Sequence, residues 1–195
     1  MTDPYLFLTP VLALAVLALA RFVGCDIVFG LERDPDASVV ETFALGTPRM
    51  DFTGWAGMVI RVGANPLRVT QLGRIMLTQS TAEHQVKIVQ RAGPTGGVDL
   101  GMVTIPPSAP TQGFAYAKLE MPVVLKANTD YYLVSSEVAN GDVFHDLDTT
   151  VITTDVAQVL GRVFDFADDV PDAGYDSSLG VAGTTYGPVD FKYEA

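Results

Sequence analysis

The stretch GWAGMVIRVGANPLRVTQLGR, residues 54–74, decides the fold class. Met58, Ile60 and Val62 alternate with Val59, Arg61 and Gly63, so an extended chain here carries one apolar face and one mixed face. That period of two predicts a strand over 55–62 with one buried side, and a second strand over 67–78. Downstream, HQVKIVQR (84–91) sets Val86 and Ile88 on one face and Gln85, Lys87 and Val89 on the other, which is expected to meet solvent. A glycine-rich turn over 93–97 then leads into DLGMVTI, and the two runs read as a β-hairpin with a long loop.

The same texture extends in both directions. Strands are predicted over 38–45, 97–105, 113–119, 121–126, 130–137, 149–154, 158–165 and 188–193, at the spacing of an antiparallel sandwich. The segment IPPSAP (105–110) cannot form a regular ladder, because its prolines lack the N–H, so it reads as a crossover loop within one domain. Composition agrees: 18 Gly and 12 Pro punctuate short β-prone runs, and only 18% of residues are charged. The expected fold is mainly β, an antiparallel two-sheet β-sandwich, Ig-like or jelly-roll-like, over 38–195. An acidic linker at 32–37 precedes it, and before that one N-terminal hydrophobic α-helix over 1–31.

The helix rests on YLFLTPVLALAVLALA (5–20), which carries no charge and is apolar all round, as lipid or a packed bundle requires. Arg21 can snorkel toward headgroups and let the helix run on to about Cys25. Tyr5, Leu8, Val11, Leu14, Leu17 and Phe22 are therefore the expected membrane-anchor residues. Met1-Thr2-Asp3-Pro4 lacks the basic n-region of a cleaved secretory signal, which favours an uncleaved anchor. The sequence FVGC (22–25) makes Cys25 a candidate for lipidation, although Arg21 interrupts the apolar run. As the only cysteine, Cys25 allows no intrachain disulfide. Ala13, Ala15, Ala18 and Ala20 would let a second helix approach closely, so other subunits or self-association join lipid as expected partners.

Four stretches together resemble a known module: residues 54–74, HQVKIVQ (84–90), GFAYAKLEMPVVLKANTDYYLVSSE (113–137) and YGPVDFKY (186–193). They look like an uncharacterised bacterial β-sandwich module found in extracellular and cell-surface proteins, often beside carbohydrate-binding or adhesive domains. The resemblance covers about residues 40–193 and implies a location more than an activity. It implies a sandwich on the periplasmic or extracellular side, where Arg21 and Arg33 taken alone would keep it cytoplasmic. The sequence departs from the pattern at NGDVFH (140–145), which has one aromatic, and in the acidic loop 165–178.

Chemistry-bearing motifs are sparse. The two histidines, His84 and His145, stand in no zinc-ligand spacing, and there is no nucleophile elbow, phosphate loop or dinucleotide fingerprint. No cofactor is expected beyond a candidate calcium ion. Its hard-oxygen ligands would come from Asp142, Asp146 and Asp148, or from Asp165, Asp168, Asp169, Asp172 and Asp176; the alternative is that these are solvated turn residues. Trp55, Tyr116, Tyr131, Tyr132, Tyr175 and Tyr186 are candidate stacking platforms for a sugar ring, with core packing as the commoner fate. Of the adjacent pair Tyr131 and Tyr132, one should point inward while the other is free to face solvent. A net charge of −11 without a basic cluster excludes nucleic acid.

The function expected from these readings is a non-catalytic, membrane-anchored structural or interaction subunit of a membrane complex or surface filament. Its alternative is a cell-surface module binding glycan or another extracellular ligand. A hydrolase would require two carboxylates facing each other across a pocket, one with a shifted pKa.

Overall fold

The computed structural model describes residues 36–77, 80–107, 113–166, 174–177, 180–187 and 189–194. Residues from Pro35 to Ala195 form one compact unit. The expected N-terminal helix, its anchor residues Tyr5, Leu8, Val11, Leu14, Leu17 and Phe22, and the lipidation candidate Cys25 lie outside the described residues. Among the described residues no helix is long and apolar enough to cross a membrane.

The domain is mainly β, as the alternation requires. Its strands are β1 (Ala37–Ser38), β2 (Val40–Ala44), β3 (Pro48–Arg49), β4 (Gly54–Val62), β5 (Leu67–Met76), β6 (His84–Ala92), β7 (Gly96–Ile105), β8 (Gly113–Leu125), β9 (Asp130–Glu137), β10 (Phe144–His145), β11 (Thr149–Thr153), β12 (Ala157–Phe166), β13 (Thr184–Thr185) and β14 (Val189–Glu194). Two larger antiparallel sheets run in the orders β1-β14-β5-β8 and β12-β4-β9-β6-β7. Two smaller sheets, β13-β11-β2 and β10-β3, accompany them among the described residues.

Both larger sheets give side chains to one apolar core, a sandwich-like arrangement. Leu72, Val69 and Phe191 come from the four-stranded sheet and Ile60, Ile88 and Leu133 from the five-stranded one, all fully buried. Each such side chain contributes roughly 1.5–3 kcal/mol of burial.

The other face of the five-stranded sheet corrects an expectation. Val59 and Val89, placed by alternation on mixed or solvent-facing sides, are fully buried in a second cluster with Tyr132, Val134 and Val163. Residues 174–177 cover it: Asp176 bridges to Phe164, and the Tyr175 ring lies 4.5 Å from that of Tyr132. Tyr131 and Tyr132 are therefore both wholly buried, one on each face, and neither reaches solvent.

Two strand boundaries also differ. The single strand expected over 38–45 breaks at Val39, so that β1 pairs with β14 and β2 with β11 in another sheet. The two strands expected over 113–126 are one, β8, whose pairing with β5 shifts register opposite the step from Val69 to Gln71. That irregularity absorbs Pro122, which has no N–H for a ladder. The hairpin β6–β7 turns over 93–95, with Gly93 in the left-handed region (φ 73°), and is tighter than expected.

Candidate functional site

Two regions at one end of the core collect the side chains that could carry chemistry. The first is a buried polar cluster. On β5, Arg74 shares the inward parity of Leu72 and Met76; on β9, Ser135 and Glu137 continue from Leu133; on β6, His84 precedes Val86 and Ile88. Three inner faces thus each bring polar side chains to the edge of the apolar core. Arg74 holds Glu137 with two bonds, Nε–H to Oε1 at 3.1 Å and Nη2–H to Oε2 at 2.8 Å, and both side chains are essentially inaccessible. Ser135 donates its hydroxyl to the Glu137 carboxylate.

His84 continues the chain of contacts. Its Nδ1 lies 2.8 Å from the Ser136 carbonyl oxygen and 3.8 Å from Glu137, and its Nε2 lies 3.2 Å from Asp142 Oδ2. Both ring nitrogens thus face oxygen atoms. Asp142 also accepts the backbone N–H groups of Thr81 and Ala82 and the Thr81 hydroxyl. Burial works to raise the Asp142 carboxyl, but these N–H donors and the His84 ring outweigh it and hold the group below the usual carboxylate range. Arg74 further donates to the carbonyls of Ile75 and Val143. The cluster therefore fastens residues 142 and 143 to two sheets, immediately before Phe144.

Phe144 begins the second region. It lines, with Phe52, Phe164, Phe166, Tyr186, Ala56, Arg49 and Asp51, a pocket of about 300 Å³. Ala56, in its wall, is the cross-strand partner of Ser135, so pocket and cluster are neighbours. The local fold explains why so many aromatic rings converge. In β12 the pairing with β4 steps from Val159–Ile60 to Gly161–Val59, leaving Leu160 as an extra residue. Beyond that bulge the side that Ala157 and Val159 turn to the core passes to Arg162, Phe164 and Phe166, while Val163 joins the outer cluster.

The rings meet mostly edge to face. Phe52 lies 6.1 Å from Phe164 at 89° and 5.7 Å from Phe166, and Phe164 lies 6.1 Å from Tyr186 at 86°. Phe166 remains 49% exposed, a large apolar surface left to solvent. At the rim Arg49 Nε and Nη2 donate to the two oxygens of Asp51, at 2.8 and 3.1 Å, and Nη1 donates to Asp146 at 3.1 Å. Arg49 pulls the Asp51 carboxyl below its ordinary range, and Asp51 raises the guanidinium in return. Burial raises the Tyr186 phenol. The second hydrogen on each Nη nitrogen and the outer lone pairs of Asp51 stay available to a ligand.

The remaining sequence candidates are dispersed. Asp142, Asp146 and Asp148 do not converge: they serve His84, Arg49 and Thr47 respectively. Asp168, Asp169 and Asp172 lie outside the described residues, while Asp165 pairs with Trp55 in the β12–β4 ladder and Asp176 bridges to Phe164. Among the described residues no group of three His, Cys, Asp or Glu side chains is placed to hold a metal ion. His145 is buried with its Nδ1 2.9 Å from the Gly46 carbonyl.

Of the six aromatic candidates, Tyr186 alone lines the pocket. Lys87 lies over Trp55, 4.2 Å from the ring centroid, and 5.7 Å from Tyr175, occupying faces that a sugar would need. Tyr116 reaches across β5 to Asp190. Gly73 makes that reach possible, since a Cβ there would fall 2.5 Å from the Tyr116 ring. Asp190 also accepts the Ser38 hydroxyl and the N–H groups of Val40 and Phe191, yet burial raises its carboxyl above the ordinary range.

The chain matches no protein-family model, and no curated protein is significantly similar to it.

Proposed function

We propose that this is a non-catalytic binding module in which the aromatic pocket takes the ligand. The observation that carries the reading is the pocket itself: five aromatic rings converge on a concavity beside an arginine–aspartate pair with hydrogen-bonding capacity to spare. The enzyme-like residue types elsewhere, His84, Ser135, Glu137 and Asp142, are buried and committed to one another. Asp51 is held ionised by Arg49, which suits hydrogen-bond acceptance and not the role of a general acid. In the finer fold assignment, the two larger sheets form a two-layer β-sandwich of Ig-like or jelly-roll-like type.

Saturation-transfer NMR against a library of small neutral and charged fragments tests this. Wild-type protein is expected to give a saturable subset of binders that Phe166→Ala loses. Binders indifferent to Phe166→Ala would place the ligand elsewhere.

The uncharged run at 5–20 supports tethering of the module to a membrane, and the resemblance to cell-surface modules supports an extracytoplasmic side. In detergent phase separation the full chain is expected in the detergent-rich phase and a chain starting at residue 34 in the aqueous phase. Full-length protein in the aqueous phase would remove the tether.

A second reading, a structural subunit contacting its neighbours, is favoured by the apolar residues exposed on β7 and β8. Val98, Met102, Met121 and Val124 are each at least half exposed on strands that lie next to each other at the sheet edges. Pro122 and the β8 irregularity, however, blunt that edge against further strand pairing. Light scattering of the full chain in detergent separates this reading from a monomeric binder.

A further inference from the structure

We infer that the pocket's ligand is a neutral sugar ring, a single hexopyranose unit of a glycan; this rests on the binding-module reading above. The argument is one of complementarity. Arg49 is flanked by Asp51 and Asp146, so an anionic ligand would approach two carboxylates and a cationic one would approach the guanidinium. An anion is therefore disfavoured, and a cation has to compete with the Arg49 guanidinium already seated between the two carboxylates. A wholly apolar ligand would bury the Arg49–Asp51 rim without replacing the water bonded to it, which is costly for charged groups.

What satisfies both parts is a neutral ring with one C–H face and a hydroxylated edge. The C–H face would lie on the exposed Phe166 ring beside the half-buried Phe52 ring. Adjacent hydroxyls, each a donor and an acceptor, would meet the free Nη hydrogens of Arg49 and the outer lone pairs of Asp51 side by side. Tyr186 belongs to the same lining. A volume of about 300 Å³ stands at the small end of ligand sites and suits one ring better than an extended chain.

The test is an NMR titration of the full chain in a sugar-free detergent, following aromatic and arginine side-chain resonances. The probes are methyl glycosides of gluco, galacto, manno and N-acetylglucosamine configuration, cellotetraose and maltotetraose, with choline chloride, sodium acetate and phenol as contrasts. At least one saccharide is expected to shift the Phe52, Phe166 and Arg49 signals saturably. The same saccharide should bind at least tenfold more weakly to Phe166→Ala and to Arg49→Lys, both retaining the wild-type spectrum elsewhere. If choline, acetate or phenol shifts those signals and no saccharide does, the sugar assignment is overturned while the binding-module reading stands. If no probe shifts them, both fall.

Discussion

The buried cluster of Arg74, Glu137, His84 and Asp142 and the pocket of Phe52, Phe144, Phe164, Phe166 and Tyr186 adjoin at one end of the domain, yet they are satisfied to opposite degrees. In the cluster, charged groups are sealed from water and every carboxylate has donors. In the pocket, the Phe166 ring, which would gain from burial, is left half in water, and a charged pair keeps spare hydrogen-bonding positions. A buried group with complete partners holds a fold; a concave apolar surface without a cover is more useful to a ligand. The two regions are also connected, because the cluster fixes residues 142 and 143 and so sets where Phe144 enters the pocket wall.

Breaking the cluster should have the largest effect. Glu137→Ala leaves the Arg74 guanidinium buried without its carboxylate and is expected to cost about 3–5 kcal/mol in urea unfolding. The double change Arg74→Met with Glu137→Leu removes both charges and should recover much of that loss. A double variant as unstable as Glu137→Ala would mean that the charges do more than compensate each other.

A smaller effect, in pH, contrasts Asp142 with Asp190. The Asp142 carboxyl is lowered in the folded protein, so its stabilisation is present above the ordinary aspartate range and is lost as pH falls through the folded value. The Asp190 carboxyl is raised, so its contribution is fully present below that range and is lost as pH rises through the folded value. Relative to wild type, Asp142→Asn should therefore be most damaging near neutral pH. Asp190→Asn keeps an acceptor for Val40 and Phe191 and should become relatively more favourable as pH rises from about 4 to 7. Urea midpoints across that interval check both signs, and parallel curves for the two variants would contradict the assigned environments.

These regions were unequally legible in the sequence. The alternation at Met58, Ile60 and Val62 and at Val86 and Ile88 is a local property, and the strands and their core faces follow from it. Coverage of the opposite face is not local: Val89 and Tyr132 are buried by Tyr175, more than forty residues downstream of the nearer one. The polar cluster escaped because Arg74, Glu137 and His84 sit at inward positions of three strands, and only the pairing brings them together.

The pocket escaped for a different reason. Its phenylalanines lie on separate segments, and straight alternation from Val159 would put Val163 inward and Phe164 outward. The extra residue Leu160 reverses that parity, and the only sequence cue is Gly161 followed by Phe164 and Phe166 two residues apart. Trp55 and Tyr175, candidate stacking faces in the sequence, instead lie under Lys87, and Tyr175 packs against Tyr132.

The most direct test of this division of labour is urea unfolding of Phe166→Ala beside Glu137→Ala. Half-exposed Phe166 should contribute little to folding, so its truncation is expected to cost about 1 kcal/mol or less, against about 3–5 kcal/mol for Glu137→Ala. A loss at Phe166 as large as that at Glu137 would show that the aromatic pocket belongs to the core and was not left open for a ligand.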